Sequence, residues 1–163
     1  MGVAELRTQN SELAIMKHIL FVCTGNSCRS VMAEGMFRKM VADRPDDFSV
    51  FSAGISAIEG FPATEETVNA LREEGVDVSD HRSQRLTHEM IQTADWIFVM
   101  ERLHKEAVLR MAPGAKDKIS LLTDFVPEGG HKDIPDPIRM SAHFYKNVLT
   151  TISDCLKKIM EVL

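Results

Sequence analysis

The sequence predicts an α/β fold in one domain, a three-layer arrangement with a four-stranded parallel sheet and helices on both faces. Three observations predict it. The chain has 163 residues, a length that one hydrophobic core commonly serves. Four short apolar runs alternate with segments of helical periodicity, the pattern of a parallel sheet covered on both sides. No linker, internal repeat or low-complexity stretch divides the chain.

The elements follow in order. His18 to Val22 is short, β-branched and aromatic, and reads as a buried strand. Val31 to Ala42 places Met32, Ala33, Met36, Phe37 and Met40 on one helical face, so the stretch "FVCTGNSCRSVMAEG" is a strand-to-helix loop. Phe48 to Ser52 is a second strand, and Thr64 is the N-cap of a helix that Gly75 closes. Thr87 to Ala94 is a short helix, Trp96 to Met100 a strand, Leu103 to Met111 a helix stopped by Pro113-Gly114, and Ile119 to Leu122 a fourth strand. A loop from Thr123 to Pro137 carries Pro127, Gly129, Gly130, Pro135 and Pro137. Phe144, Val148, Ile152, Leu156 and Ile159 then mark a C-terminal amphipathic helix. Residues 1–16 lack strong periodicity and read as a flexible or loosely helical extension ahead of a domain spanning 17–163.

Composition excludes several function classes. Twenty-four Asp and Glu face nineteen Lys and Arg, a net charge of −5 with scattered basic residues, which argues against nucleic acid as a partner. The longest apolar runs, Ile19 to Cys23 and Trp96 to Met100, are five residues, against about 20 needed to span a bilayer. The first seventeen residues lack the apolar core of a secretory signal, and Leu6 stands where a myristoylation site has Ser or Thr. A cytoplasmic location without membrane attachment is expected. Three cysteines do not make a disulfide framework. Cys23 and Cys28 have no second Cys or His pair to complete a metal site, so no metal is expected. The ten methionines fall mostly on helical apolar faces and read as core filler.

A loop between a strand's carboxyl end and a helix N-terminus presents unpaired N–H groups and partial positive charge, which makes it an anion site. Gly25 allows a tight turn, Asn26 tolerates a left-handed conformation, Ser27 and Ser30 are small, and Arg29 supplies a planar fork for two oxygens. Neither G-x-G-x-x-G nor a G-K-[ST] ending is present, which sets the loop apart from nucleotide-binding loops. A thiol opens it instead. A ring of backbone N–H donors, Arg29 and the helix N-terminus favour the thiolate of Cys23, which can attack phosphorus and form a phospho-cysteine that water hydrolyses, without a metal. Alone, Cys23 would read as a small buried residue ending a strand; at C-x5-R spacing with Gly25 between, it reads as a nucleophile. Cys155, on an apolar helical stripe, reads as core. For the proton that the leaving oxygen needs, Asp136 stands between Pro135 and Pro137, where the chain is stiff. Asp followed by Pro is also an ordinary helix start, and Asp136 can serve as both. Asp124, Asp133 and Asp154 are the other carboxyls considered.

"VCTGNSCRS" followed in order by "MAEGMF", "SAG", "DHRSQRLT", "ADWIFVME" and "DIPDP" resembles the low-molecular-weight protein tyrosine phosphatase family, over nearly everything from Lys17 onward. The resemblance implies a four-stranded parallel sheet, a cysteinyl-phosphate intermediate, no cofactor, and a phosphorylated protein as substrate. By position it makes Cys23 the nucleophile, Arg29 the phosphate-binding arginine and Asp136 the acid that later activates water. It makes Thr24, Gly25, Asn26, Ser27, Cys28 and Ser30 the loop that holds phosphate or another oxyanion. Ser30 is the hydroxyl that stabilises the thiolate, and Asn26, Ser52 and His81 form a supporting network. Cys28 is a redox partner able to form a reversible disulfide with Cys23. The chain departs from many members at Val31, where they have Pro, at small Ser27, and at Ile138 and Arg139, where they have aromatics. A small residue at Ser27 is similar to the branch that hydrolyses phosphoarginine and to thioredoxin-coupled arsenate reductases. The latter need further cysteines after the Trp96 strand, and "VMERLHKEAVLRM" has none. The expectation is a metal-independent protein phosphatase for phosphotyrosine, with phosphoarginine as the alternative. Arsenate reduction and a catalytically silent phosphate-binding module come after these.

Overall fold

The computed structural model describes residues 16–127 and 132–163. The sequence expectation for residues 1–16 falls almost wholly outside them. Strands β1 (Lys17–Cys23), β2 (Phe48–Gly54), β3 (Trp96–Val99) and β4 (Ile119–Leu121) form one sheet in the order β2-β1-β3-β4, with every pairing parallel. Helices α1 (Arg29–Met40), α2 (Glu65–Glu73), α3 (His88–Thr93), α4 (Arg102–Met111) and α5 (Ala142–Met160) connect and cover it, with short 3-10 turns at Pro113–Lys118 and Leu122–Phe125.

β1 is central and buried on both faces, which explains why it reads as an unbroken apolar run rather than an alternating one. Its side chains still alternate. Ile19, Phe21 and Cys23 face the core shared with α1 and α5, where Phe37, Phe98, Val148, Ile152 and Leu156 pack. Leu20 and Val22 face the second core with Ile97, Val99, Leu86, Ile91 and Val108. Parallel register brings Cys23 beside Gly54 and Val22 beside Val99, so the carboxyl ends of three strands meet at one edge.

The cap read at Thr64 and the stop read at Gly75 hold, and Thr87, read as the first residue of its helix, is that helix's cap. Thr64 accepts a hydrogen bond from Thr67 N (3.3 Å), Thr87 from Met90 N (3.2 Å), and Gly75 ends its helix with a φ of 76°. Lys118 Nζ donates to the carbonyls of Ile91 (2.6 Å) and Ala94 (2.7 Å), closing the carboxyl end of α3 with a cation. Cys155 lies in the α5 core as expected, and burial pushes its thiol up to about 11.

The strand ends differ from the sequence expectation by one or two residues, β2 running on to Gly54, and two helix starts differ for reasons that bear on the site. α1 starts at Arg29 rather than Val31, because a polar first turn carries no apolar periodicity although its backbone is already helical. The C-terminal helix starts after Ser141, whose Oγ accepts from Phe144 N at 3.1 Å. Asp136 therefore starts no helix, and the double role read for it is corrected: its Oδ1 closes a local turn by accepting from Ile138 N at 3.1 Å. Among the described residues no helix is long and apolar enough to cross a membrane.

Candidate active site

The loop from Cys23 to Ser30 leaves the central strand at the edge where ligands collect in open α/β sheets. Asn26 makes its sharp turn, with φ at 54°. Gly25 does not: its φ is unexceptional, and a Cβ there would meet nothing nearer than Ser27 Oγ at 3.6 Å. The left-handed Asn26 is fully buried and held on every side. Its Oδ1 accepts from Gln84 N (2.9 Å), which settles the orientation of the amide, and its Nδ2 then donates to both Ser30 Oγ (2.8 Å) and Ser52 Oγ (2.9 Å). His81 Nε2 reaches the Asn26 carbonyl at 2.8 Å. A carbonyl can only accept, so that nitrogen carries the proton. The network expected from Asn26, Ser52 and His81 is present and includes Gln84.

Its output is directed at sulfur. Cys23 Sγ lies 2.9 Å from Ser30 Oγ and 3.3 Å from Asn26 N. Ser30 Oγ accepts from Asn26 Nδ2, which leaves its hydroxyl proton able to point at the sulfur, and Asn26 N–H donates to the same atom. Beside this network Glu34 of α1 is largely buried. Desolvation raises its pKa, while Arg38, His81 and a hydrogen bond with Ser52 pull the other way. Cys28 points elsewhere. Its thiol lies 3.5 Å from Thr64 Oγ1 and 3.6 Å from Tyr145 OH, and it links the start of α1 to α2 and α5.

Arg29, in the first turn of α1, is 2% exposed and carries its guanidinium between two carboxylates. Nη1 donates to Glu101 Oε2 (2.7 Å) and to the Ile134 carbonyl (2.7 Å), and Nη2 stands 3.7 Å from Asp136 Oδ2. The acid segment is thus tied to the loop just before Asp136. Ile134 N also bonds Met100 O (2.9 Å), and Asp133 Oδ1 accepts from Arg102 N at the start of α4 (2.9 Å). Asp133 is occupied as that cap, Asp124 accepts from Leu121 N (3.0 Å), and Asp154 lies on α5, whereas Asp136 keeps a half-exposed carboxyl beside the guanidinium. Among the described residues no group of three or more His, Cys, Asp or Glu is gathered in a way that could hold a metal ion.

Besides Gln84, three contributors escaped the sequence reading. Glu101 and His104 belong to a Glu-x-x-His at the start of α4; their signal was the i, i+3 spacing of two polar residues that begins two positions after the buried strand ends at Val99. Gly54 ends the "SAG" segment, and its reason is the close approach of the loop. A Cβ there would lie 2.5 Å from Thr24 O and 2.8 Å from Asn26 N. Backbone cannot yield as a flexible side chain can. Gly54→Ala is therefore expected to destabilise the fold by about 1–3 kcal/mol, as overpacking does, and to lower kcat by about 100-fold through displacement of the loop. Urea unfolding and steady-state kinetics on one preparation check both, and wild-type kcat would show that the loop tolerates the methyl.

Comparison with known proteins agrees with this geometry. The model of the family described as low molecular weight phosphotyrosine protein phosphatase matches residues 18–163. A protein-arginine-phosphatase of Bacillus subtilis (strain 168) is 34% identical over 145 residues, covering 89% of this chain and 95% of that protein. A probable low molecular weight protein-tyrosine-phosphatase, EpsP, of Ralstonia nicotianae is also 34% identical, over 89% of this chain and 90% of its own length. The crystal structure of the low molecular weight protein tyrosine phosphatase from T. tengcongensis superposes with a TM-score of 0.84 at 40% identity, covering 90% of this chain and 99% of that one. With a thiol, a guanidinium and a carboxyl assembled at the sheet edge, and a match along nearly the whole described chain, this protein belongs to the low molecular weight phosphotyrosine protein phosphatase family.

Proposed function

We propose that this chain hydrolyses phosphotyrosine in proteins through a cysteinyl-phosphate intermediate, with Cys23, Arg29 and Asp136 as its catalytic residues. The observation that carries the proposal is the pair of donors, Ser30 hydroxyl and Asn26 N–H, directed at Cys23 Sγ in a loop whose far end holds Arg29 beside Asp136. In the first step the thiolate attacks phosphorus, the bond from phosphorus to the tyrosine oxygen breaks, and Asp136 gives that oxygen its proton. In the second, the Asp136 carboxylate takes a proton from water, the water oxygen bonds phosphorus, and the thiolate leaves. Arg29 and the loop N–H groups hold the equatorial oxygens throughout, which supplies the electrostatic stabilisation on which phosphoryl transfer depends. The same reading places the enzyme in the cytoplasm and lets Cys28 pair reversibly with Cys23 under oxidation.

Phosphoarginine is the second substrate reading. Ser27 is small, Ile138 is an exposed aliphatic side chain two residues past Asp136, and relatives with 34% identity are named protein-arginine-phosphatases. Arsenate reduction has less support, because α4 carries no cysteine and Cys155 is enclosed in the α5 core. A silent binding module would not need both a nucleophile and an acid. Phosphate release from a phosphotyrosine peptide and a phosphoarginine peptide, measured together at pH 6–8 with Cys23→Ser as blank, separates these readings. Faster release from phosphotyrosine is the expected result. A preference for phosphoarginine would move specificity to Ser27, and release from neither peptide would sink the phosphatase proposal.

A further inference from the structure

The two ends of the phosphate loop are joined behind it through the first turn of α4. Thr24 Oγ1 lies 2.8 Å from His104 Nε2, and Glu101 Oε2 lies 2.7 Å from Arg29 Nη1. Between these, Glu101 N donates to His104 Nδ1 at 3.0 Å, while His104 Nε2 stands 3.5 Å from Glu101 Oε2. The tautomer follows. A ring nitrogen that accepts a backbone N–H has no proton of its own, so the neutral imidazole carries its hydrogen on Nε2 and donates it to Thr24. Burial, and then the charge of Arg29, push the imidazole down to about 4 against the opposite pull of Asp133 and Asp136, so the ring is uncharged near neutral pH.

The side chain of His104 is completely buried. Closing the start of α4 would not require a ring that reaches across to another strand's loop, since a short polar side chain caps a helix as well. What the ring adds is the Thr24 contact. The main chain of Cys23 and Thr24 is already held on the opposite side, where Ile55 N and Ser56 N donate to their carbonyls at 2.9 Å each. His104 supplies the second side of that clamp, on the residue directly after the nucleophile.

We propose that His104, as its neutral Nε2–H tautomer, is a positioning residue that fixes Thr24 and so the direction in which the Cys23 thiolate faces phosphorus. The inference rests on the phosphatase reading above. It touches no substrate; it acts through Thr24 and through the Glu101 carboxylate that steadies Arg29.

A double-mutant cycle tests it. His104→Asn keeps an oxygen for Glu101 N but is too short to reach Thr24, and Thr24→Val removes the hydroxyl at nearly constant shape. With para-nitrophenyl phosphate at pH 6, each single variant is expected to lose kcat about 10-fold with KM changed by less than about 3-fold, and the double variant to lose no more than either single one. Losses that multiply, or a variant with wild-type kcat, would overturn the inference, as would a loss of kcat matched by a loss of Tm. Nitrogen-15 shifts of the His104 ring in the wild-type protein give a test that needs no variant to fold: an Nε2–H tautomer is expected at pH 6, and an Nδ1–H or doubly protonated ring overturns it. Wild-type protein no more active than Cys23→Ser would remove the phosphatase reading and this inference together, whereas an active wild type with multiplying losses removes this inference alone.

Discussion

Replacing Cys23 by Ser lowers turnover of any phosphomonoester by at least about 10⁴-fold, the scale on which removal of a covalent nucleophile is felt, while inorganic phosphate still binds. The reason lies in what the loop stabilises. Ser30 and Asn26 offer two hydrogen-bond donors to the atom at position 23. Two donors can hold a sulfur anion but do not turn an aliphatic hydroxyl into an alkoxide near neutral pH. The anion site does not depend on the thiol, because Arg29 and the helix N-terminus remain. The measurement pairs single-turnover phosphate release with calorimetric titration of phosphate into the variant. Residual turnover within 100-fold of wild type would mean that another group attacks phosphorus.

Asp136→Asn is expected to slow hydrolysis of phenyl phosphate by about 10²–10³-fold, the range of general acid catalysis. The loss should be much smaller with a nitrophenyl ester, whose leaving oxygen needs little help from a proton. The asparagine is nearly isosteric and keeps an oxygen for Ile138 N, so the local turn survives and the comparison isolates the proton. It also removes one of the two carboxylates beside Arg29 and leaves Glu101, at 2.7 Å, as its partner. Weak dependence of the loss on the leaving group would point to a role in holding Arg29 rather than in proton transfer. Steady-state kinetics on a series of aryl phosphates decides between these.

The parts of the site that the residues themselves reveal have partners near in the chain, whereas Ser52 and His81, 26 and 55 residues from Asn26, entered only through the family resemblance. Cys23, Asn26, Ser30 and Arg29 fall in one loop, and the spacing from thiol to guanidinium carries the chemistry by itself. Thr64 and Thr87 announce their helices because a cap acts on a residue only three positions away. Glu101 and His104 act across 72 and 80 residues, and their partnership exists only because β1 and β3 pair in a register that sets their carboxyl ends side by side. Gln84 contributes a backbone N–H to Asn26, a group that every residue except proline has and that leaves no mark in a sequence. Gly54 stood inside a quoted segment, but its purpose appears only when β2 is laid against β1 with Gly54 beside Cys23. Asp136 misled for the opposite reason: Asp-Pro is a local sign of a helix start, and Ser141 supplies the cap that is used.

The nucleophile ends one of the two inner strands of the sheet, with β2 on one side and β3 on the other. Amide protons in such a strand exchange with solvent only when the whole molecule opens, whereas edge strands and helix ends open in smaller units. The loop is stitched to that strand and to segments 54–56 and 81–84, so it has no local opening of its own that spares the rest. The thiol is therefore held in its working position for as long as the protein is folded, and that position is lost all at once. Heat or denaturant would extinguish activity along the same curve as the fold itself.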